Sequence, residues 1–175
     1  MGIDRLIQAM ATVTAAHPEA LLVIAGDGSM RGELEALASR LGLAGKVVFT
    51  GRLSNERLTE WFQAADCSVV PTVTLEGFGL VTVESLACGT PVLGTPNGGT
   101  REILEPFEPS LLFDDASAEA MATTIKRWLA GDIRLPSRET CRLHVLERYT
   151  WNEVARQVAE VFEASIDSRR RRSAR

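Results

Sequence analysis

Glu76 and Glu84 stand either side of Gly77-Phe78-Gly79-Leu80-Val81-Thr82-Val83, a stretch that turns from a glycine-bearing loop into a helix-forming run. A helix that starts near Gly79 puts Glu84 about one and a half turns in, close to whatever binds at its N-terminus. The first backbone N–H groups of that helix and its positive dipole end suit a phosphate. A carboxylate accepts two hydroxyls at once, which suits a ribose or another vicinal diol. Glycine at 77 and 79 lets the backbone approach a ligand closely. The same glycines are also what a tight turn needs, and Phe78 serves equally as a packing aromatic or as a contact residue. For Glu84 the competing assignment is a solvated glutamate on an amphipathic helix.

These residues need a scaffold, and the apolar pattern supplies one. Helices are expected at 3–16, 30–41, 54–65, 79–88, from Thr100, and at 117–130, 136–148 and 151–165. Between them lie short apolar runs of strand length at 20–25, 46–50, 67–71, 91–95 and 110–113. Continuous apolar strands alternating with helices indicate an α/β domain with a parallel sheet sandwiched by helices. Ligands of such sheets bind beyond the carboxyl ends of the strands. The loops 26–28, 51–55, 72–79 and 96–100 each follow a strand and therefore gather on one edge.

Taken together, these blocks closely resemble the E-x7-E signature of the retaining, family-four glycosyltransferases of the GT-B fold. The resemblance also covers Leu22–Gly28, Val47–Gly51, Ala65-Asp66 through Val70-Pro71, and Gly98–Leu104, in family order as far as about Trp151. It implies the donor half of a two-domain enzyme, a Rossmann-like domain that binds a nucleotide diphosphate sugar with UDP, GDP or ADP as carrier. By resemblance, Glu84 holds the ribose hydroxyls and Glu76 contacts the transferred sugar as the catalytic carboxylate. Gly77, Phe78, Gly79, Leu80 and Val81 reach sugar and diphosphate, and Gly28 approaches the nucleotide. Arg52, Leu53 and Asn55 match positions near the base; Arg52 would stack on it or pair with phosphate, or else remain an exposed loop arginine. With the second carboxylate assigned to ribose, no pair remains for double displacement of the glycosidase kind. The favoured picture is a front-face substitution, with catalysis through positioning and charge stabilisation. There is no Asp-x-Asp in the donor region, and helix N-termini handle phosphate without a metal, so no metal or other cofactor is expected.

The chain departs from the family at its start. Gly2-Ile3-Asp4-Arg5-Leu6-Ile7 resembles the segment just after a Gly-Arg…Lys phosphate clamp, with Met1 where the lysine would be. The first strand, the clamp cations and the acceptor domain are therefore expected to be absent. Losing one charged donor from a transition state costs about 3–4 kcal/mol, so the chain alone is expected to lack useful transferase activity. An acceptor-domain protein acting in trans is the partner such a split would require. A non-catalytic nucleotide-binding or interaction module on the same fold is the alternative. A receiver or flavodoxin-like regulatory domain shares the layer architecture, but the sequence lacks the acidic phosphorylation cluster that would follow its first strand.

Composition sets the remaining bounds. The 175 residues are 45% hydrophobic and 24% charged, those of an ordinary globular domain. No apolar run reaches the ~20 residues of a membrane span, and the N-terminus lacks the build of a secretory signal. The three cysteines, Cys67, Cys88 and Cys141, form neither a disulfide framework nor a zinc spacing and are expected to be reduced thiols. Five arginines lie at 169–172 and 175, so the remaining chain carries −9 against a total of −4. An acidic body argues against nucleic acid as a partner. Residues 1–166 are expected to form the domain and 167–175 an Arg-rich disordered tail. Attraction of that tail to anionic lipid is its sharper role, in a cytoplasmic protein peripheral to the inner face of a membrane.

Overall fold

The computed structural model describes residues 2–74 and 76–173, with side chains except those of 167, 168 and 170–173. Helix α1 (Ile3–Ala16) leads to strand β1 (Leu22–Ala25), α2 (Arg31–Arg40), β2 (Val47–Gly51), α3 (Asn55–Ala64) and β3 (Ser68–Val70). Then follow α4 (Leu80–Ala87), β4 (Val92–Gly94), α5 (Gly98–Leu104), a 3-10 turn at Pro109–Leu111, α6 (Ala118–Leu129), α7 (Arg138–Arg148) and α8 (Trp151–Ser173). The alternation is the α/β order that the apolar pattern predicts.

Local chemistry places the helix starts. Ser54 accepts from Arg57 N at 3.3 Å, Ser117 from Ala120 N at 3.1 Å and Ser137 from Thr140 N at 3.1 Å. Each hydroxyl satisfies one amide that the first turn leaves without a partner. Gly89 ends α4 with φ 82°, a left-handed conformation that glycine adopts without a Cβ penalty. Leu6, Ile7, Met10 and Val13 of α1 recur at helical spacing and are all buried. Burial of each contributes about 1.5–3 kcal/mol, which holds α1 against α6 and α2. On the other flank α4 packs against α7 and α5.

The strands form two parallel pairs rather than one continuous sheet. Strand β1 pairs with β2, Leu22 opposite Val47 and Ile24 opposite Phe49. Strand β3 pairs with β4, Ser68 opposite Val92 and Val70 opposite Gly94. Among the described residues no pairing joins β1 to β3. The consequence shows in burial. Val92, Leu93 and Gly94 of β4 are buried throughout, whereas Leu22, Val23 and Ile24 of β1 are half-buried and Ala25 is exposed. The expected doubly covered strand is therefore β4; β1 has an open edge.

Two elements differ from the sequence reading. The run 110–113 is expected to be a strand, yet Pro109–Leu111 is a 3-10 turn and Leu112 alone bridges to Gly94. Glu108 accepts from Ser110 N at 3.3 Å and Ser110 Oγ at 2.8 Å, and Pro109 supplies the preset φ that starts the turn. Helix α8 continues to Ser173 rather than ending near Ser165. Arginine is a good helix former and is favoured at a helix C-terminus. Most of the Arg-rich stretch, and residues 174–175 altogether, fall outside the described side chains, so the disordered-tail expectation lies there. No helix of the described residues is long and apolar enough to cross a membrane.

Cys67, Cys88 and Cys141 are free thiols, as expected. Burial pushes the Cys67 thiol up to about 12 and the Cys141 thiol up to about 11. Neither is a thiolate at neutral pH, and the thiolate is the reactive form.

Candidate donor site

At the carboxyl end of β3 the chain turns through Thr72 and Glu76 into α4, and the start of α5 closes against that turn. Gly99 N donates to the Glu76 carbonyl at 3.2 Å. A Cβ at Gly99 would lie 2.1 Å from the carbonyl carbon and oxygen of Phe78. Gly98 has φ 52°, and a Cβ there would lie 2.4 Å from the Glu76 carbonyl oxygen. Gly79 caps α4 with φ 84° and faces Thr100 N at 3.0 Å from its Cβ position. These contacts leave no room for side chains. The glycines at 79, 98 and 99 therefore bring two helix starts and one acidic loop into a single patch.

The patch is braced from beneath. Asn97 Nδ2 donates to the Thr72 carbonyl at 3.0 Å and Thr95 Oγ1 donates to the same oxygen at 2.5 Å. Thr72 Oγ1 in turn donates to a Glu76 carboxylate oxygen at 3.1 Å. Buried Thr82 and Thr100 share a hydroxyl hydrogen bond of 3.1 Å across the two helices. Ser85 Oγ donates to the Thr90 carbonyl at 3.0 Å and shares a hydrogen bond of 2.8 Å with Ser68 Oγ, tying α4 to β3 and to the turn that leads into β4. Above this polar bed, Leu80 and Val81 are exposed at 62% and 52%, an unusual position for two aliphatic residues at a helix start. Glu76 is half-buried, and Glu84 is exposed one and a half turns into α4.

Of the two roles left open by its sequence context, Phe78 takes that of a packing aromatic. It is 49% exposed, and its ring meets Tyr149 edge-on at 6.1 Å and 77°. Tyr149 follows α7 and also packs on His144, whose ring lies 4.2 Å from Phe107. The loop is thus held by α5 on one side and by an aromatic from the C-terminal third on the other.

Gly28 and Arg52 are exposed in the loops after β1 and β2, Leu53 is half-buried beside Arg52, and the exposed Asn55 opens α3. Gly26 N donates to the Gly51 carbonyl at 2.9 Å and joins those two loops. The structure therefore sorts the expected site residues into two groups. Glu76, Gly77, Phe78, Gly79, Leu80, Val81 and Glu84 form one around α4; Gly28, Arg52, Leu53 and Asn55 form the other. The groups belong to the two strand pairs, and both lie at carboxyl ends. Sequence reasoning missed Thr72, Asn97 and Tyr149. Asn97 precedes a Gly-Gly pair, which is a legible turn signal, but nothing local announces that Tyr149 reaches Phe78.

Among the described residues, no three His, Cys, Asp or Glu side chains converge as metal ligands would. A groove of about 310 Å³ lined by Ala38, Leu43, Val47 and Phe49 lies under α2, at the amino end of β2 and away from this edge.

His144 is buried, and its surroundings resist its protonation. Its Nε2 is buried without a hydrogen-bond partner. Burial, and then the nearby Arg148, hold its pKa below the ordinary histidine value, with Glu147 opposing. An unfolded histidine takes up its proton as pH falls through about 6.5. Native His144 resists, so stability is fully present above that value and declines below it, until the folded pKa is passed. His144→Phe keeps a ring between Phe107 and Tyr149 and should flatten this decline. Urea midpoints at about pH 7.5 and about pH 5 measure it; an equal acid loss in both proteins would refute the assignment.

The family description "Glycosyl transferases group 1" matches residues 1–143, the stretch that contains both site clusters. The chain belongs to that family. Its similarity to an uncharacterized glycosyltransferase of Methanocaldococcus jannaschii is 34% identity over 95% of the chain and 42% of the relative. A GDP-mannose-dependent alpha-(1-6)-phosphatidylinositol monomannoside mannosyltransferase of Mycolicibacterium smegmatis is 29% identical over 96% of the chain and 46% of its own length. Sucrose-phosphate synthase from Thermosynechococcus elongatus superposes with TM-score 0.77 at 31% identity, covering 95% of this chain and 43% of that one. The chain thus spans less than half the length of these three proteins, and its fold is that of a GT-B domain.

Proposed function

We propose that the chain is the donor-binding half of a retaining glycosyltransferase and takes a nucleotide diphosphate sugar at the α4–α5 edge. The observation that carries this reading is the convergence of Gly79, Gly98 and Gly99 on the Glu76 loop, beside the start of α4 and the exposed Glu84. The N-terminus of α4, at Leu80 and Val81, receives the diphosphate. Glu84 accepts the ribose hydroxyls and Glu76 faces the transferred sugar, held by Thr72. Arg52, Leu53 and Asn55 line the base end, and Gly28 approaches the nucleotide. Glu76 acts by positioning the sugar and stabilising charge, with the leaving diphosphate guiding a front-face attack. The GDP-mannose dependence of the mycobacterial relative supports a nucleotide-sugar donor of this class.

By itself the chain turns over no nucleotide sugar at a useful rate, and an acceptor-binding half is needed to complete the reaction. The basic C-terminal stretch favours contact with an anionic, inner membrane face, which fits an acceptor of the lipid-linked kind that the same relative's name specifies. The test is ligand-observed NMR with UDP-, GDP- and ADP-glucose. One of them should bind, and Glu84→Ala should weaken it by roughly 10- to 150-fold, the loss of one or two hydrogen bonds to a charged group. Equal binding by the variant would overturn the ribose assignment, and no binding by any of the three would overturn the donor site.

A further inference from the structure

Three ring contacts run in series from the end of α5 to the Glu76 loop. The Phe107 ring, just past α5, lies 4.2 Å from that of His144 on α7. His144 lies 5.7 Å from Tyr149, and Tyr149 meets Phe78 at 6.1 Å. All three are tilted or edge-on, the arrangements that aromatic pairs favour over a face-to-face sandwich. Phe78 is the exposed end of the series, and a Cβ on its neighbour Gly77 would meet nothing within 4 Å. Tyr149 is therefore the ring that fixes this side of the loop. His144 is the one member that can change its charge near neutral pH. Its Nε2 is buried and finds no hydrogen-bond partner among the described residues. Neutral, the ring leaves one polar atom unsatisfied; protonated, it would bring a charge and a further N–H into the same apolar setting.

The surroundings decide which state is packed. Burial is the largest influence and opposes the proton, and Arg148 on α7 opposes it too. Glu147 on α7 and the Ile103 backbone of α5 favour it, the latter through a hydrogen bond. Phe107 brings no charge, and the Tyr149 phenol, which burial and Glu102 push up, stays neutral across this range. We infer that His144 and Tyr149 are positioning residues of the donor loop: the neutral His144 ring wedges Tyr149 against Phe78, and a proton taken up at Nε2 drives the ring toward solvent and releases Phe78. The loop that binds donor is then the one with His144 neutral. At pH 7.5 that form prevails, and release sets in as pH falls below the ordinary histidine value of about 6.5. The effect on affinity rests on the donor reading; the movement of the loop does not.

An NMR titration of the free chain from about pH 7.5 to about pH 5 tests the movement. The Gly77 and Gly79 amides should shift with the same midpoint as the His144 ring protons, while Val92 and Leu93 on β4 stay in place. Titration with UDP-, GDP- and ADP-glucose over the same range tests the affinity. The Kd of whichever binds should rise toward about tenfold per pH unit below that midpoint, the limit when only the neutral form binds. His144→Phe should make both responses flat. Tyr149→Phe keeps the ring and should keep both responses. Tyr149→Leu should hold the loop amides near their acid positions at every pH while His144 still titrates. Loop shifts that persist in His144→Phe, or a His144 titration that leaves Gly77 and Gly79 unmoved, would overturn the inference. So would Val92 and Leu93 moving at the same midpoint, since the event would then be general unfolding. Failure of all three nucleotide sugars to bind at any pH would sink the donor reading alone, and the loop titration would still decide this one.

Discussion

Gly99→Ala should abolish nucleotide-sugar binding and lower stability by about 1–3 kcal/mol, the range for forcing a methyl into packed space. The added Cβ would sit 2.1 Å from the carbonyl carbon and oxygen of Phe78 and 2.7 Å from its Cα. Those are backbone atoms of the loop that carries Glu76, so they cannot yield by a rotamer change. Either α5 moves away or the loop does, and both movements separate the α5 start from the Glu76 carbonyl that Gly99 N now holds. Gly28→Ala provides the contrast. A Cβ there meets nothing within 4 Å, so its stability should change by no more than about 0.5 kcal/mol, as for an ordinary surface substitution. Denaturant midpoints and the chemical shifts of Gly77 and Gly79 report the outcome. A Gly99→Ala protein with unchanged midpoint and unchanged loop shifts would mean that the helix starts are not clamped as described.

The clamp also explains why the site could be read from so short a motif. Glu76 and Glu84 are local in sequence, and a glycine loop followed by a helix puts them on one edge whatever lies around them. Gly98 and Gly99 were legible as a turn after a strand, and the rule that ligands bind beyond strand carboxyl ends gathered the four loops correctly. The bracing was not legible. Thr72 to Asn97, Thr82 to Thr100 and Phe78 to Tyr149 are contacts across 18 to 71 positions, and neither propensity nor periodicity carries information at that range.

The same limit separates the elements that matched from those that did not. Helix starts at Ser54 and Ser117 follow from a hydroxyl that satisfies a first-turn amide, which is local chemistry. The apolar run Ser110–Phe113 has strand composition, but Glu108 and Pro109 hold its first half in a 3-10 turn, and a capping carboxylate outweighs the weak preference of a few apolar residues. Strand β1 reads as a fully covered strand by composition, yet coverage depends on its neighbours. Its apolar residues are half-buried, and among the described residues one of its edges carries no pairing. Composition reports what a strand could bury; pairing decides how much it does.

That distinction makes two phenylalanines a sharp test. Phe113 and Phe162 have the same side chain and would rank equally on any hydrophobicity scale. Phe113 is 1% exposed beside Leu111, and its N–H donates to the Gly94 carbonyl at 2.8 Å, which fixes it under β4. Phe162 is 65% exposed on α8, in line with Val158 at 48% and Ile166 at 50%. Phe113→Ala should destabilise by about 3–5 kcal/mol, through lost burial and an incompletely collapsed cavity. Against a domain stability of about 5–15 kcal/mol, that is a drop of roughly 6–20 °C in Tm for a chain of this size. Phe162→Ala should stay within about 0.5 kcal/mol of the parent. Urea and thermal unfolding of the two variants measure the difference directly. A large loss at Phe162 would show that α8 is covered in solution by a surface outside the described residues. A small loss at Phe113 would place the core away from the β4 end, and with it the rigid floor on which the Thr72–Asn97 bracing of the donor loop depends.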